Sequence, residues 1–228
     1  MKTADVRIFR QGGEHQPLIL IDDFAADPDG LIEDAAMLRL EPIGPHYPGL
    51  RAPVPKGMVA KLLAPVTDLI REVYGVDAGR GRRESWYSLV TTPPARLAPI
   101  QRLPHFDGVE SDRIAVLLFL GRADLGGTAF YRHRATGFET VTAERLASYD
   151  SALRADIDRH GLPPPGYIAG DTPLYERVAR HEARFNRLLI YRGHTLHCAD
   201  VPPDLVLCAD PREGRLTVNT FLIPVGAV

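Results

Sequence analysis

Cysteine is almost missing from this chain. Cys198 and Cys208 are its two thiols in 228 residues. That excludes a scaffold built on disulfides, and in a reducing compartment both are expected to be free and packed. An excess of one charge sign is missing too: 27 Lys and Arg stand against 29 Asp and Glu, with no long run of either. A basic face for nucleic acid or an anionic membrane is therefore not expected, and the partner should be a small molecule or a protein side chain. No apolar run approaches the roughly 20 residues of a bilayer-crossing helix. Met1 to Phe9 lack the apolar core of a secretion signal, so a cytoplasmic location is expected. Repeats and low-complexity tracts are absent as well. What the chain has is a hydrophobic fraction of 45%, enough for a sizeable core. Its length allows one large β-rich domain or two small ones.

Alternating patterns dominate after residue 84. Apolar and β-branched runs bounded by Gly and Pro predict strands at residues 85–92, 103–107, 113–120, 127–132, 138–141, 187–192, 195–199 and 215–222. That number suits a mainly β fold, a double-stranded β-helix or jelly roll, with flanking helices. Ahead of it, short strands at 6–9 and 18–21 flank a Gly-Gly turn. Asp27-Pro28 opens a helix to about Leu40, and a second runs from about Met58 to Tyr74 with apolar residues at helical spacing. Between them, residues 41–56 hold seven prolines and glycines and read as a loop, carrying His46, Tyr47 and Arg51, that could cover a site. Thr142 opens a helix that ends near Gly161, and Thr172-Pro173 predicts a further helix to about Glu182. Residues 1–228 thus read as one domain, with 1–84 as an N-terminal buttress and 142–182 as a helical insertion.

The chemistry is concentrated in three places. His105 and Asp107 stand two apart, so on an extended chain an imidazole and a carboxylate face one point. The apolar run from Leu188 ends in His194 and His197, which face opposite ways on a strand, so both cannot reach one ion without a bend; His197, beside the turn, is favoured. Two His and one carboxylate leave half of an ion open, the arrangement of non-haem Fe(II) sites that activate O₂. In the last strand, alternation places Arg215, Thr217 and Asn219 on one face, and an Arg with a hydroxyl two residues on can grip a carboxylate. A zinc-protease reading of His181-Glu182 fails, because Phe185 stands where the second His should be. His133 lies among charged neighbours and is expected at the surface.

His105-x-Asp107, His197 and Arg215-x-Thr217, in that order, resemble the Fe(II)- and 2-oxoglutarate-dependent dioxygenases. Gly126-Gly127-Thr128-x-Phe130, Pro202-Pro203 after His197, and Asn219 four residues after Arg215 bring the likeness nearest the prolyl-4-hydroxylase-like branch, over residues 84–224. Seventeen residues separate His197 from Arg215, more than that branch usually has, so an enlarged loop is expected around residues 205–213. The resemblance implies a jelly roll with Fe(II) on His105, Asp107 and His197. It implies 2-oxoglutarate with its distal carboxylate on Arg215 and Thr217, and hydroxylation of a C–H bond with release of succinate and CO₂. It also offers Tyr87 as a tyrosine at the cosubstrate, against a core role, and Asn219 as a positioning residue, against a structural one. Asp107 stands where Gly or Ala would favour halogenation. Two other readings remain: a sensor or accessory jelly roll that binds metal or carboxylate without turnover, and a cupin-like metal enzyme that needs no 2-oxoglutarate.

Overall fold

Strands with apolar side chains on both faces need cover on both faces, and the central strands of this chain are of that kind. The computed structural model describes residues 5–122 and 125–225. Its strands are β1 (Val6–Gln11), β2 (Gln16–Ile21), β3 (Gly49–Pro53), β4 (Arg82–Val90), β5 (Ile114–Phe119), β6 (Gly127–His133), β7 (Tyr175–Glu182), β8 (Arg187–Arg192), β9 (His197–Asp200) and β10 (Leu216–Ile223). They form a seven-stranded sheet in the order β1-β2-β8-β5-β10-β4-β3 and a three-stranded sheet in the order β7-β6-β9. Every pairing is antiparallel. The architecture is mostly β with few helices.

Alternation sorts β5 between two cores. Ile114, Val116 and Leu118 turn to one side, where Ile190, Val218 and Tyr87 join apolar residues of α1 (Pro28–Met37), α2 (Lys56–Leu63) and α3 (Thr67–Tyr74). Ala115, Leu117 and Phe119 turn to the other, against Phe130 of the small sheet, together with Leu189 and Tyr191. The small sheet is covered in turn by α4 (Ala143–His160), whose Tyr149 packs with Tyr131 and Tyr175. The N-terminal hairpin belongs to the large sheet, because β2 pairs with β8 across most of the chain length.

Several expectations needed correction. The helix predicted from Thr172 to Glu182 is the strand β7, because pairing with β6 is worth more than the local Thr-Pro start signal; Tyr175 is buried, and Glu176 pairs with Arg132 at 3.1 Å across the strands. The predicted helix from Met58 to Tyr74 is two helices, interrupted at residues 64–66, where Pro65 cannot donate a backbone bond. The loop at 41–56 contains β3, a further strand of the large sheet. Around His105 and Thr140 the expected strands shrink to single bridges with His197 and Thr195. His133 is fully buried, 3.2 Å from Asp156, because β6 carries it beneath α4.

His181 on β7 packs between Phe9 and Phe130. Burial, with a smaller contribution from the Arg187 charge, pushes its pKa down to about 4. The folded state therefore binds fewer protons than the unfolded state below the ordinary histidine range. This stability is present above about pH 6.5 and is lost as pH falls towards 4, by about 2 kcal/mol after allowance for partial exposure. Denaturant midpoints from pH 7 to 4 should fall, and His181→Leu should flatten part of that fall; equal acid loss in both proteins would place the titrating group elsewhere.

Candidate metal centre and cavity

Two stretches far apart in the chain, one with His105 and Asp107 and one with His197, deliver the ligand-type side chains to one point. His105 exchanges backbone hydrogen bonds with His197 in both directions, each 2.8 Å, which fixes the two imidazoles side by side with ring centroids 4.4 Å apart. Asp107 is tied by its N–H to Gly193 O at 2.7 Å. Gly193 is needed there: a Cβ would come within 2.9 Å of Arg113 and 3.4 Å of the Asp107 Cβ. The result places His105 Nε2 3.9 Å from Asp107 Oδ1 and His197 Nε2 3.7 Å from Asp107 Oδ2. One ligand atom from each of the three lies within 4.8 Å of the others, a spacing an ion could bridge.

Hydrogen bonding leaves these atoms available. His197 Nδ1 donates to Thr195 O at 2.8 Å, so its Nε2 carries the lone pair that faces Asp107. Asp107 Oδ2 is buried with no hydrogen-bond partner. Arg113, close enough to be felt at Asp107, is committed to Glu110 through two bonds of 2.7 and 2.8 Å. Burial raises the pKa of Asp107, against the opposing pull of His197, Arg113 and Arg51, while about half of the His105 side chain faces solvent. An imidazole turned with its acceptor position inward and a carboxylate lacking a partner fit a cation. The rival ligand His194 lies outside the cluster, buried with Nδ1 3.3 Å from Glu110 O.

The triad opens into a cavity of about 390 Å³ whose lining also includes Arg215, Thr217 and Asn219. The Arg215 guanidinium, 5% exposed, is held by its Nε on Leu125 O at 2.9 Å and its Nη2 on Gly127 O at 2.6 Å. Among the described residues it is paired with no carboxylate. Asp200, whose charge it feels, is bonded to Arg180 at 2.5 Å. The Thr217 hydroxyl has two acceptors, Asn219 Oδ1 at 2.6 Å and Ser88 O at 3.3 Å, for its single proton.

Tyr87, offered as a tyrosine at the cosubstrate, faces the opposite way. Its hydroxyl donates to Asp34 Oδ2 at 2.7 Å among the helices, and burial raises its pKa. Tyr87→Phe should therefore lower stability by about 1–2 kcal/mol and leave ligand binding in the cavity unchanged; weakened binding at full stability would reverse that assignment.

Sequence reading left three cavity residues without a role there. Tyr47 lines the wall with its hydroxyl buried beside Ser88. Arg51 lies over the Tyr47 ring at 3.9 Å and donates from Nε to Ser88 Oγ at 3.0 Å. Tyr167 closes another side, its hydroxyl donating to Thr92 O at 2.8 Å. Tyr47 and Arg51 sit in the Pro- and Gly-rich stretch already marked as able to cover a site; nothing near Tyr167 marks it in advance.

Among solved structures, a prolyl-4-hydroxylase of Pseudomonas putida is similar at 13% identity and a TM-score of 0.49, over 92% of this chain and 93% of that one. The alpha-ketoglutarate-dependent epimerase SnoN of nogalamycin biosynthesis has 11% identity and 0.49, over 94% and 78%. HygX of Streptomyces hygroscopicus, with nickel, 2-oxoglutarate and hygromycin B bound, has 10% and 0.45, over 95% and 84%. No curated protein matches the sequence. Among the described residues, no helix is long and apolar enough to cross a membrane. A family model matches residues 2–222, nearly the whole length, and the chain accordingly belongs to DUF6445, a family of unknown function.

Proposed function

We propose that this chain is an Fe(II)- and 2-oxoglutarate-dependent oxygenase of the hydroxylase type, built as one jelly-roll domain of the prolyl-4-hydroxylase-like branch. The observation that carries the reading is the convergence of His105, Asp107 and His197 on a cavity that also holds the Arg215 guanidinium without a carboxylate partner. Metal and guanidinium are what a 2-oxo dicarboxylate needs at its two ends. Iron and 2-oxoglutarate, when bound, supply the oxidising power by which one atom of O₂ enters succinate and the other enters a substrate C–H bond, with CO₂ released.

The protein's part is to hold and to exclude. Asp107 contributes the anionic ligand, and Thr195 O orients His197 with its Nε2 lone pair towards the ion. Arg215, fixed by two backbone carbonyls, presents its remaining N–H groups to the distal carboxylate. The Tyr47 hydroxyl is the O–H donor near Arg215, in place of Tyr87, whose hydroxyl is bonded to Asp34, and of Thr217, whose hydroxyl is bonded to Asn219. Asn219 positions Thr217. The cavity is at the small end of ligand sites, which supports a small molecule or a single protein side chain as substrate. Nucleic acid and membrane lipid are not among the partners in this reading, and its place is the cytoplasm.

The test is release of succinate from 2-oxoglutarate by the purified chain, anaerobically loaded with Fe(II) and then given O₂. Succinate above the metal-free control is expected. Metal binding without affinity for 2-oxoglutarate would favour the cupin-like alternative, and binding of both without succinate would favour the sensor.

A further inference from the structure

Two cations, not one, face the cavity. Arg51 on β3 and Arg215 ahead of β10 both line it, and neither is paired with a carboxylate among the described residues. Their placements differ. Ser88 on β4 pairs with Arg51 on one side and with Thr217 on the other, so the three form a row across the sheet. Arg51 therefore stands two strand spacings, about 10 Å, from the strand that Arg215 leads. The Arg51 charge is felt at both His105 and Asp107, and Tyr47 feels both arginines. Of the two cations lining the cavity, Arg51 is thus the one whose charge reaches the triad, with Tyr47 near both.

Resting on the oxygenase reading above, we infer that Arg51 recognises an anionic group of the substrate, so that the molecule entering this cavity carries a carboxylate at its buried end. Charge balance leads there. The two carboxylates of the cosubstrate, a divalent ion, Asp107 and Arg215 cancel, and Arg51 is the charge left over. Its Nε is fixed by Ser88 and its plane by the Tyr47 ring, while its two Nη groups have no acceptor among the described residues. A guanidinium held flat, half-buried and with its outer edge free is a preorganised fork for a carboxylate. Burial lowers its pKa, the cost that an anion would offset. The rest of the lining sets the apolar Val90, Ile100, Phe106, Leu117, Ile168 and Phe221 beside the polar His46, Gln101 and Thr128. The expected substrate is a small amphipathic acid, anchored at its charged end so that an apolar carbon lies towards the triad.

Matched acid and amide probes decide the matter: hexanoate against hexanamide, and phenylacetate against phenylacetamide. Each is titrated by calorimetry into the full chain loaded with Mn(II) and N-oxalylglycine, an inert analogue of 2-oxoglutarate. Wild type should bind the acids at least about tenfold more tightly than the amides. Arg51→Gln should lose that preference and bind N-oxalylglycine as wild type does, and Arg51→Lys should keep part of the preference. Equal affinity for acid and amide in wild type overturns the inference, as does loss of N-oxalylglycine binding in Arg51→Gln. If Mn(II) or N-oxalylglycine fails to bind wild type, the oxygenase reading falls separately, and the same titrations on the metal-free chain still decide Arg51. There, a preference that survives Arg215→Gln but not Arg51→Gln supports it, and any other pattern overturns it.

Discussion

Asp107→Ala should cost at least about a hundredfold in Mn(II) or Fe(II) affinity and reduce succinate formation to background. Removing a residue that merely supports a metal ligand typically costs 10–100-fold, and Asp107 is a ligand itself, the only anionic one of the three. The same substitution should leave the metal-free protein as stable or slightly more stable, by up to about 1 kcal/mol. Asp107 Oδ2 has no hydrogen-bond partner, and burial alone raises its pKa, so in the folded chain without a cation this carboxylate is a burden. Its backbone N–H bond to Gly193 survives the change. Loss of metal without loss of fold is the signature of a ligand, whereas a structural Asp would show the reverse. Calorimetric metal titration and denaturant unfolding of the metal-free variant read the two effects separately. An Asp107→Ala protein that binds Mn(II) as wild type does would remove the triad from consideration.

The candidate site residues were readable in the sequence because those of each group sit on one extended segment. Two-residue spacing puts His105 with Asp107, and Arg215 with Thr217 and Asn219, whatever the rest of the chain does. Parity said only that His194 and His197 could not both join His105 and Asp107, and His197 was preferred for its place beside the turn; His194 itself lies in the turn between β8 and β9, outside the cluster. Parity alone does not say which face looks inward. On β4, Tyr87 and Leu89 share a face, as do Trp86 and Ser88, and it takes the pairing of Ser88 with Thr217 to assign Ser88 to the sheet face of Thr217 and Tyr87 to the helix-covered core. That register is set by contacts between residues 129 positions apart, which no local pattern contains. Arg51 and Tyr47 were hidden similarly. β3 lies among prolines and glycines and is a strand only because β4 offers it a partner. β7 shows the opposite failure, where a good helix start was present and non-local pairing outweighed it.

Arg215→Ala should weaken 2-oxoglutarate binding by about 2–5 kcal/mol, roughly thirtyfold to several thousandfold. The magnitude follows from desolvation. The guanidinium is 5% exposed, so a carboxylate brought against it leaves water for a site where a missing partner is not replaced by solvent. Metal affinity without 2-oxoglutarate should change little, because Arg215 contributes nothing to the triad; Asp107→Ala does the opposite. Two backbone carbonyls, Leu125 O and Gly127 O, also lose their donor in Arg215→Ala, and some stability should go with them. Arg215→Lys separates the two effects. It keeps the charge but has no fork to hold both carbonyls while reaching the ligand, so it should recover part of the affinity and little of the stability. The visible charge-transfer band of the anaerobic Fe(II) complex with 2-oxoglutarate gives the dissociation constants directly. Should Arg215→Ala bind 2-oxoglutarate as wild type does while Arg51→Gln loses it, the distal carboxylate belongs to Arg51, and the cavity has its cosubstrate and substrate ends exchanged.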